Sequence, residues 1–273
     1  MKGKISFLYS ISQLHCGKGS DSGVVDLPIQ REVHTELPII TGIKGAIRNE
    51  FNFDNEIKIF GSKPKNNDDE RAGSIAFSEA KIFLYPVRSL TEGFVWVTCP
   101  LVLSRLKTVF KLTENKDFEQ NIGKVLEKIE EGKEYSAIKS GKINIEEYEA
   151  DTLELPEFKG FLEALKEIYP ESYLKDKSIK NTYIISDKDF KFFVKNSTEI
   201  MARITIDSSK GVTKDGSLRY EEFLPQDTVM YFLTKEIIKD SGFDELENVI
   251  NEKFFNIGGK TTIGKGFVYL KMI

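Results

Sequence analysis

The sequence predicts an α+β protein with a split β-α-β core of the ferredoxin type that carries insertions. Alternating apolar segments typical of strands lie near both ends of the chain, and helical patterns separate them. These patterns lack the regular βαβ rhythm of a doubly wound parallel sheet, which favours the split arrangement. The hydrophobic fraction of 40% supplies ample material for a core.

Residues 1–112 are predicted to open the main domain. Phe7, Tyr9 and Ile11 fall on one face of the first predicted strand. A loop rich in glycine and serine follows, and an extended segment with two prolines comes after it. In chain order we expect a strand at 4–11, a helix from about 42 to 51, a polar and mobile loop at 63–72, strands at 73–85 and 95–99, and a helix at 104–112.

Residues 113–185 are predicted to form an acidic, partly helical insertion, after which residues 186–273 complete the main domain. Residues 123–172 hold 13 acids against 7 bases. A helix after Asp187 has an acid at its start, as expected of an N-cap. In this region we expect helices at 116–131 and 157–168 and strands at 142–149 and 182–186.

The last part of the chain is predicted to be rich in strands. Residues from about 200 to 225 indicate two strands joined by a long hairpin that contains glycine, and long loops in compact domains are usually functional or disordered. We then expect a strand at 228–237, a helix at 244–253, a glycine-rich loop at 258–266 and a last strand at 267–272.

The composition favours a soluble protein of a reducing compartment. Cys16 and Cys99 are the only two cysteines, so a disulfide framework is not expected. No apolar run is long enough to cross a bilayer, and the first residues lead into a strand rather than a signal peptide, so we expect a cytoplasmic location and no membrane partner. The net charge of −4 is weak evidence against a nucleic-acid ligand, because binding follows local fields and the last 19 residues hold three lysines and no acid.

Asp26 is the acid in the most informative setting. It lies between Val25 and Leu27, after the glycine-rich loop and before Pro28. A carboxylate there could bind a divalent cation or position a ribose hydroxyl for attack on phosphate. The alternative, which the residue type alone favours, is an exposed or turn-forming acid.

His15 follows the first predicted strand and stands beside Cys16. It could act as a general base or bind phosphate, although a histidine at a strand end is more often structural. The chain holds two histidines, two cysteines and no CxxC pair, so the spacing does not indicate a zinc site.

Lys44 and Arg48 lie one turn apart near the start of a predicted helix. They could reach successive phosphates while the amides of the first turn bind another. A solvated helix face is an equally good interpretation of the same spacing.

Residues 258–266 (GGKTTIGKG) resemble a phosphate-cradling loop in composition. They do not meet the P-loop order, because Gly266 follows Lys265 where Ser or Thr is required, so nucleotide hydrolysis gains little support. A backbone-lined groove for a nucleic-acid strand and a tight hairpin turn both stay open. Glu221 and Glu222 belong to the long hairpin, where acids are more often solvated than catalytic.

Several segments together resemble a known family. The chain resembles the backbone subunits of the Cmr complex, the type III-B CRISPR effector, within the RAMP superfamily. The resemblance covers both ends and the centre of the chain, is most specific in the Asp26 loop with its following helix and in the last glycine-rich loop, and is weak in residues 113–185. The segments that carry it are HCG, SGVVDLPIQRE, PIITGIKGAIRNEF, IFGS, GSIAFSEAKIFLYPV, ITID, DGSLRYEEFLP and IGGKTTIGKGF.

This resemblance implies an RRM-like, ferredoxin-type palm that polymerises along a guide RNA. It implies a projecting β-hairpin thumb at about 200–225 that interrupts the guide–target duplex at regular intervals. The implied activity is that of an antiviral endoribonuclease that cuts complementary single-stranded target RNA at each interruption. The implied cofactor is a divalent metal, Mg²⁺ or else Mn²⁺. The implied products carry a cyclic phosphate and a 5′ hydroxyl. The implied partners are the guide (CRISPR) RNA, the target RNA, copies of the same chain in a helical filament and the other Cmr subunits.

The resemblance also implies roles for individual residues. Asp26 matches the aspartate required for cutting, and the implied metal would bind there. His15 matches a loop histidine implicated in RNA binding or cleavage, and Glu221 lies near where a thumb acid approaches the cut. The sequence departs from the family pattern at Ile43. The family usually has small residues before the helix lysine, and the larger Ile43 affects how closely the backbone reaches phosphate. Contacts with the RNA backbone are implied for Lys44, Arg48, Gly258, Gly259, Lys260, Thr261, Gly264 and Lys265.

Elementary chemistry agrees with this activity in outline. Attack by a ribose 2′ hydroxyl needs alignment more than a strong nucleophile, and a flipped-out nucleotide can adopt the in-line geometry that a helix forbids. Two alternatives stay open. One is a purely structural RNA-binding subunit whose filament protects the guide while another protein cuts, and the other is a stand-alone RNase that processes guide precursor through His15.

Overall fold

The computed structural model describes residues 1–63 and 71–273, so most of the polar loop predicted at 63–72 lies outside the described residues. The fold is a mixed α+β fold, as predicted. The strands are β1 (Gly3–Ser10), β2 (Ile39–Ile40), β3 (Ile75–Phe77), β4 (Ala80–Ser89), β5 (Gly93–Thr98), β6 (Glu134–Ser136), β7 (Gly141–Ile145), β8 (Tyr148–Glu154), β9 (Thr182–Ile184), β10 (Glu199–Arg203), β11 (Ile206–Asp207), β12 (Val212–Thr213), β13 (Arg219–Phe223), β14 (Val229–Glu236), β15 (Lys253–Asn256) and β16 (Phe267–Met272). The helices are α1 (Ile43–Glu50), α2 (Glu56–Phe60), α3 (Pro100–Leu112), α4 (Lys116–Lys128), α5 (Pro156–Leu165), α6 (Ser172–Lys180), α7 (Asp187–Asn196) and α8 (Phe243–Ile250), with 3₁₀ turns at Lys166–Ile168 and Thr261–Ile263.

The first strand lies at the centre of the main sheet. β1 pairs antiparallel with β14 on one side and with β16 on the other, so that Leu8 faces Met230 and Leu270. β14 in turn pairs antiparallel with β4, which gives the strand order β16-β1-β14-β4. Residues 5–10 are all buried, because elements cover both faces of this strand.

The long strand β4 joins this sheet to a closed ring of strands. Its first half pairs with β14 and its second half with β5. The ring then continues through β9, β6, β8 and β7 and closes where Ser89 of β4 pairs with Ile145 of β7. Strands from residues 134–184 therefore share one sheet with strands from the flanking regions. The division of the chain into a main domain and an insertion stays a prediction.

One hydrophobic cluster runs through the described residues, and aromatic side chains form much of it. The ring of Phe83 on β4 lies 5.6 Å from that of Phe7 on β1 and 6.3 Å from that of Phe161 on α5. The buried Trp96 donates its indole N–H to the carbonyl of Asp227 at 2.7 Å, which satisfies the one polar group of that side chain. The core thus ties the first strand, the ring and α5 together.

Three sequence predictions differ from the structure. The strand expected at 73–85 is two strands, β3 and β4, because Ser78 leaves the ladder and its hydroxyl accepts the Leu233 N–H at 2.9 Å. The strand expected at 142–149 is a hairpin, β7 and β8, which turns at Glu146 with a φ of 50°. The N-cap of α7 is Ser186 rather than Asp187, since the Ser186 hydroxyl accepts the Asp189 N–H at 3.1 Å.

Five elements escaped prediction, namely β2, α2, β6, α6 and β15. The only buried residue of α6 is Ser178, so this helix has no apolar periodicity to reveal it. β15 is a four-residue strand whose pattern is too short to distinguish from the loop around it.

The predicted hairpin at about 200–225 is present as a ribbon outside the main sheet. β10 pairs with β13 at its base and β11 pairs with β12 further out. Four large apolar side chains of this ribbon are about half exposed or more, namely those of Ile204, Ile206, Val212 and Leu218. Among the described residues no helix is both long and apolar enough to span a membrane.

Candidate functional site

His15 is buried at the base of the hairpin. Its Nδ1 lies 2.7 Å from the carbonyl oxygen of Glu222 and donates to it, because a carbonyl can only accept. Its other nitrogen, Nε2, lies on the side of Gly17, where a Cβ would come within 2.8 Å of it, and is the acceptor of the ring whenever the ring carries one proton. The ring also packs 5.4 Å from that of Phe223.

The last glycine-rich loop, residues 258–266, closes over the same histidine. Gly259 donates its N–H to the carbonyl of His15 at 2.8 Å. Gly258 has a φ of 82°, and a Cβ there would lie 2.6 Å from the same carbonyl oxygen. Glycine is therefore required at Gly258 both by the left-handed backbone and by the close approach. The loop connects the antiparallel strands β15 and β16 through a 3₁₀ turn rather than a tight hairpin turn, and its use as a groove for nucleic acid stays a prediction.

Asp26 is fixed by the base of the hairpin. Its Oδ2 accepts the backbone N–H of Tyr220 at 2.7 Å. The chain then runs beside β13, since Leu27 donates its N–H to the Tyr220 carbonyl at 3.1 Å and Glu222 donates its N–H to the Leu27 carbonyl at 3.0 Å. The Asp26 side chain is partly exposed, and its Oδ1 accepts no hydrogen bond from the described residues. One carboxylate oxygen is thus held in place and the other is available to a ligand.

Glu221 and Lys260 form an ion pair across the hairpin and the glycine-rich loop. The Lys260 ammonium lies 2.6 Å from Glu221 Oε1, and the Glu221 side chain is only 6% exposed. Arg203 on the neighbouring strand approaches Glu221 Oε2 with its Nε at 3.6 Å. The predicted catalytic acid is therefore buried between two cations, one of which is a predicted RNA-binding residue.

Glu222, in contrast, stabilises the backbone that follows Asp26 through hydrogen bonds to its carboxylate. Its Oε1 accepts from Arg31 at 2.7 Å and from the Thr198 hydroxyl at 3.0 Å, while Oε2 accepts the Ile29 N–H at 3.0 Å. Arg31 also donates to two backbone carbonyls at 3.0 Å. This ion pair, buried on the Glu222 side and half-buried on the Arg31 side, joins the segment after Asp26 to the hairpin and to α7.

The start of α1 presents Lys44 to solvent, but Arg48 is engaged within the protein. Arg48 pairs with Glu56 at 2.6 Å and donates to the Gly61 carbonyl at 3.0 Å. Lys44 makes no ion pair within the described part of the chain. Gln30 connects this helix start to the first glycine-rich loop, since its amide donates to the Gly17 carbonyl at 3.1 Å and its Oε1 accepts from the Thr41 hydroxyl at 2.8 Å.

The donor set around Asp26 does not by itself make a metal site. Across residues 1–63 and 71–273, no three His, Cys, Asp or Glu side chains come together as metal ligands. Asp26 offers one carboxylate, and a divalent cation there would need its remaining ligands from RNA or water. Burial raises the pKa of the neighbouring Cys16 thiol to about 12, so this thiol stays protonated at neutral pH.

The structure brings His15, Glu221 and the 258–266 loop together at the base of the hairpin and attaches Asp26 to the same strand. It places Lys44 and Arg48 on a separate helix. Residues that the sequence did not single out are the Tyr220 amide, Arg31 and Arg203. No sequence signal could identify the amide or Arg31, which stands between the polar residues Gln30 and Glu32, whereas Arg203 stands out only as the one base of the segment MARITI.

Comparison with known proteins provides an independent view. The model of the RAMP superfamily matches residues 7–269. A relative named "CRISPR system Cmr endoribonuclease Cmr4", from Pyrococcus furiosus, is 36% identical over 98% of this chain and 95% of its own length. A second, named "CRISPR system CMR subunit Cmr4", from Saccharolobus solfataricus, is 26% identical over the same shares of the two chains.

Solved structures share the fold. The crystal structure of oligomeric Cmr4 from Pyrococcus furiosus superposes with a TM-score of 0.74 at 28% identity, over 100% of this chain and 98% of that one. A chain of the cryo-EM structure of the type III-B Cmr-beta complex bound to cognate target RNA gives a TM-score of 0.81 at 22% identity, over 100% and 97% of the two chains. The second likeness concerns the fold alone.

Proposed function

The chain belongs to the RAMP superfamily, and on this premise we propose that it is a guide-RNA-binding endoribonuclease subunit of a type III-B CRISPR Cmr effector complex. The Pyrococcus relative, similar over nearly the whole of both chains, is named a Cmr endoribonuclease. The partners are then the guide RNA, the complementary target RNA, further copies of the chain and the other Cmr subunits, and the complex acts in the cytoplasm in antiviral defence.

The proposed architecture is a ferredoxin-like palm with a projecting thumb. The strand order β16-β1-β14-β4, with α1 after β1 and α8 after β14, supports the palm. The ribbon formed by β10, β11, β12 and β13 supports the thumb, because it lies outside the main sheet and exposes apolar side chains.

The observation that carries the proposed activity is the setting of Asp26. One oxygen is anchored by the Tyr220 amide at 2.7 Å, and the other has no donor among the described residues. A carboxylate held in this way can accept a hydrogen bond from a ribose 2′ hydroxyl and orient it toward the adjacent phosphate. The 2′ hydroxyl gives its proton to Asp26 and its oxygen bonds to phosphorus, the bond from phosphorus to the 5′ oxygen breaks, and water protonates that oxygen, which leaves the cyclic phosphate and 5′ hydroxyl ends.

The other predicted residues take supporting roles in this proposal. His15, with Nε2 as its acceptor, assists at the same site, and Glu221 holds Lys260 close to it. The exposed Lys44 and the loop residues Gly258, Gly259, Lys260, Thr261, Gly264 and Lys265 contact RNA phosphates. Arg48 can join them only if its ion pair with Glu56 opens. A divalent cation, Mg²⁺ or Mn²⁺, is proposed only as an ion shared between Asp26, RNA and water.

Cleavage of guide-complementary RNA by the assembled complex tests this function. With the wild-type chain we expect evenly spaced products, and with Asp26→Ala we expect these products to fall by at least roughly 10²-fold while RNA binding is kept. Parallel cleavage reactions with magnesium and with EDTA test whether the reaction requires a divalent metal. Spaced products that survive Asp26→Ala would instead support the structural subunit, and cutting of free guide precursor would support the processing enzyme.

A further inference from the structure

A cavity of about 280 Å³ lies between the base of the hairpin and the last glycine-rich loop. The residues that line it include three cations and one acid, so their net charge is +3 − 1 = +2. Arg203 and Arg219 are directly opposite each other in the β10–β13 ladder. Like charges in this position are destabilising, so the cavity favours an anionic ligand.

The floor of this site holds two groups that lack hydrogen-bond partners. Arg203 Nε and Glu221 Oε2 are both buried, and neither has a partner among the described residues. They lie 3.6 Å apart, which is too long for a hydrogen bond between them. A hydroxyl beside both could accept from Arg203 and donate to Glu221, whereas a phosphate oxygen could not donate and would be repelled by the carboxylate.

The remaining lining explains how a ligand would reach these groups. Lys260 pairs with Glu221 Oε1, yet its side chain is 31% exposed and can turn toward an incoming phosphate. Glu221 then keeps Arg203 as its counterion. Arg219 forms no ion pair within the described part of the chain and is exposed beside the cavity. Ile204 and Ile263, both about half exposed, supply apolar surface for a base.

We propose that this cavity binds one nucleotide of single-stranded RNA, with its phosphate on Arg219 and Lys260 and its 2′ hydroxyl between Glu221 and Arg203. The proposal rests on the proposed function and specifies a subsite for it. Glu221 is then a residue that recognises ribose, because only a ribose offers a hydroxyl that both accepts and donates at that position. Lys260 exchanges Glu221 for the phosphate when RNA binds.

Fluorescence anisotropy with labelled single-stranded RNA and DNA of one sequence tests this site. The full-length chain carrying Asp26→Ala is used, so that RNA is not consumed. We expect it to bind RNA roughly tenfold more tightly than DNA, the effect of one hydrogen bond to a charged group. Adding Glu221→Ala should abolish this preference, so that the affinities for RNA and DNA become equal within about twofold, while removal of the negative charge tightens DNA binding.

Two further variants separate ribose recognition from a structural role. Glu221→Gln keeps an acceptor oxygen and nearly the same shape, so it should keep the preference for RNA while binding both strands more tightly, because a negative charge is removed. Glu127→Ala, an exposed acid on α4, should change neither affinity. Equal binding of RNA and DNA by the parent chain, or an equal loss of both in Glu221→Ala, would overturn the proposal and leave the proposed nuclease standing. Failure to bind either strand would overturn both.

Discussion

His15 occupies a space that two glycines leave open. Gly17 lies against its Nε2, and Gly258 lies against its carbonyl oxygen with a left-handed backbone. Any side chain at Gly17 would meet the ring, and any side chain at Gly258 would also strain the backbone. The histidine is therefore positioned by the absence of neighbouring side chains as much as by its hydrogen bond to Glu222.

Gly17→Ala tests whether the position of the His15 ring matters, because it adds one methyl group beside the ring. The added Cβ would lie 2.8 Å from His15 Nε2, so the ring must move. Overpacking of this kind typically costs about 1–3 kcal/mol, and we expect target-RNA cleavage to fall roughly tenfold. Single-turnover cleavage rates measure the effect.

Gly23→Ala in the same loop is the matched control. The nearest atom to its added Cβ is 3.9 Å away, so cleavage should stay within about twofold of wild type. Equal rates for Gly17→Ala and wild type would show that the position of His15 does not matter for the reaction.

Most of the first turn of helix α1 is exposed to solvent, whereas Arg48 in its second turn is held by contacts within the protein. Its first residues have no side-chain cap and no acid in the first turn, and Gly42 and Gly45 face open space. A helix start with free amides and an exposed lysine attracts anions. Arg48, one turn further on, instead fastens α1 to α2 through Glu56 and Gly61.

Alanine substitutions should therefore separate the two bases of α1. Lys44→Ala should weaken RNA binding and lower the slope of log affinity against log salt by about 0.7, with no change in thermal stability. Arg48→Ala should lower stability by about 1–2 kcal/mol, because Glu56 and a backbone carbonyl lose their donor. Salt titrations of RNA binding and thermal melts measure these effects.

Lys124→Ala, an exposed base on α4, serves as the control for both measurements. Arg48→Ala with unchanged melting and weaker RNA binding would assign Arg48 directly to the RNA and contradict this division of roles.

The molecule as a whole carries two carboxylates, the buried Glu134 and the half-buried Asp227, whose protonation affects its stability. Burial raises the pKa of Glu134 in β6, and its Oε2 has no hydrogen-bond partner among the described residues. Burial likewise raises the pKa of Asp227, which bonds to the Tyr9 hydroxyl. Between the unfolded and folded pKa values the native state binds more protons than the unfolded chain. These two groups therefore favour the native state most at acid pH, and this contribution is lost as pH rises through their folded pKa values.

Glu134→Gln should remove the cost of holding this charge inside the ring of strands. We expect its melting temperature at pH 7 to exceed that of wild type by about 2 °C, and the difference to vanish below the ordinary pKa of glutamate. Thermal melts at several pH values measure it. Glu147→Gln, an exposed acid on the turn between β7 and β8, should melt as wild type does throughout. A constant difference between Glu134→Gln and wild type at all pH values would contradict the assignment to ionisation.

Local sequence patterns were enough to predict the fold class, most of the elements and the residues worth testing. Apolar residues on one face revealed β1, short apolar runs revealed β14 and β16, and the long hairpin was visible from its glycines and flanking strands. Asp26 stood out because an acid follows a glycine-rich loop directly. These are local signals, which depend on residues close together in the chain.

Which of these residues lie in contact depends on how distant segments pack. Asp26 and Tyr220, separated by 194 positions, are joined by a backbone amide that any residue type would supply. Glu221, Lys260 and Arg203 come from three segments, and their charges form one site only because β10, β13 and the last glycine-rich loop converge. Arg48 shows the converse, since its spacing from Lys44 predicted a shared face but Glu56 binds it. Side-chain partners across distant segments are set by packing, which local patterns do not encode.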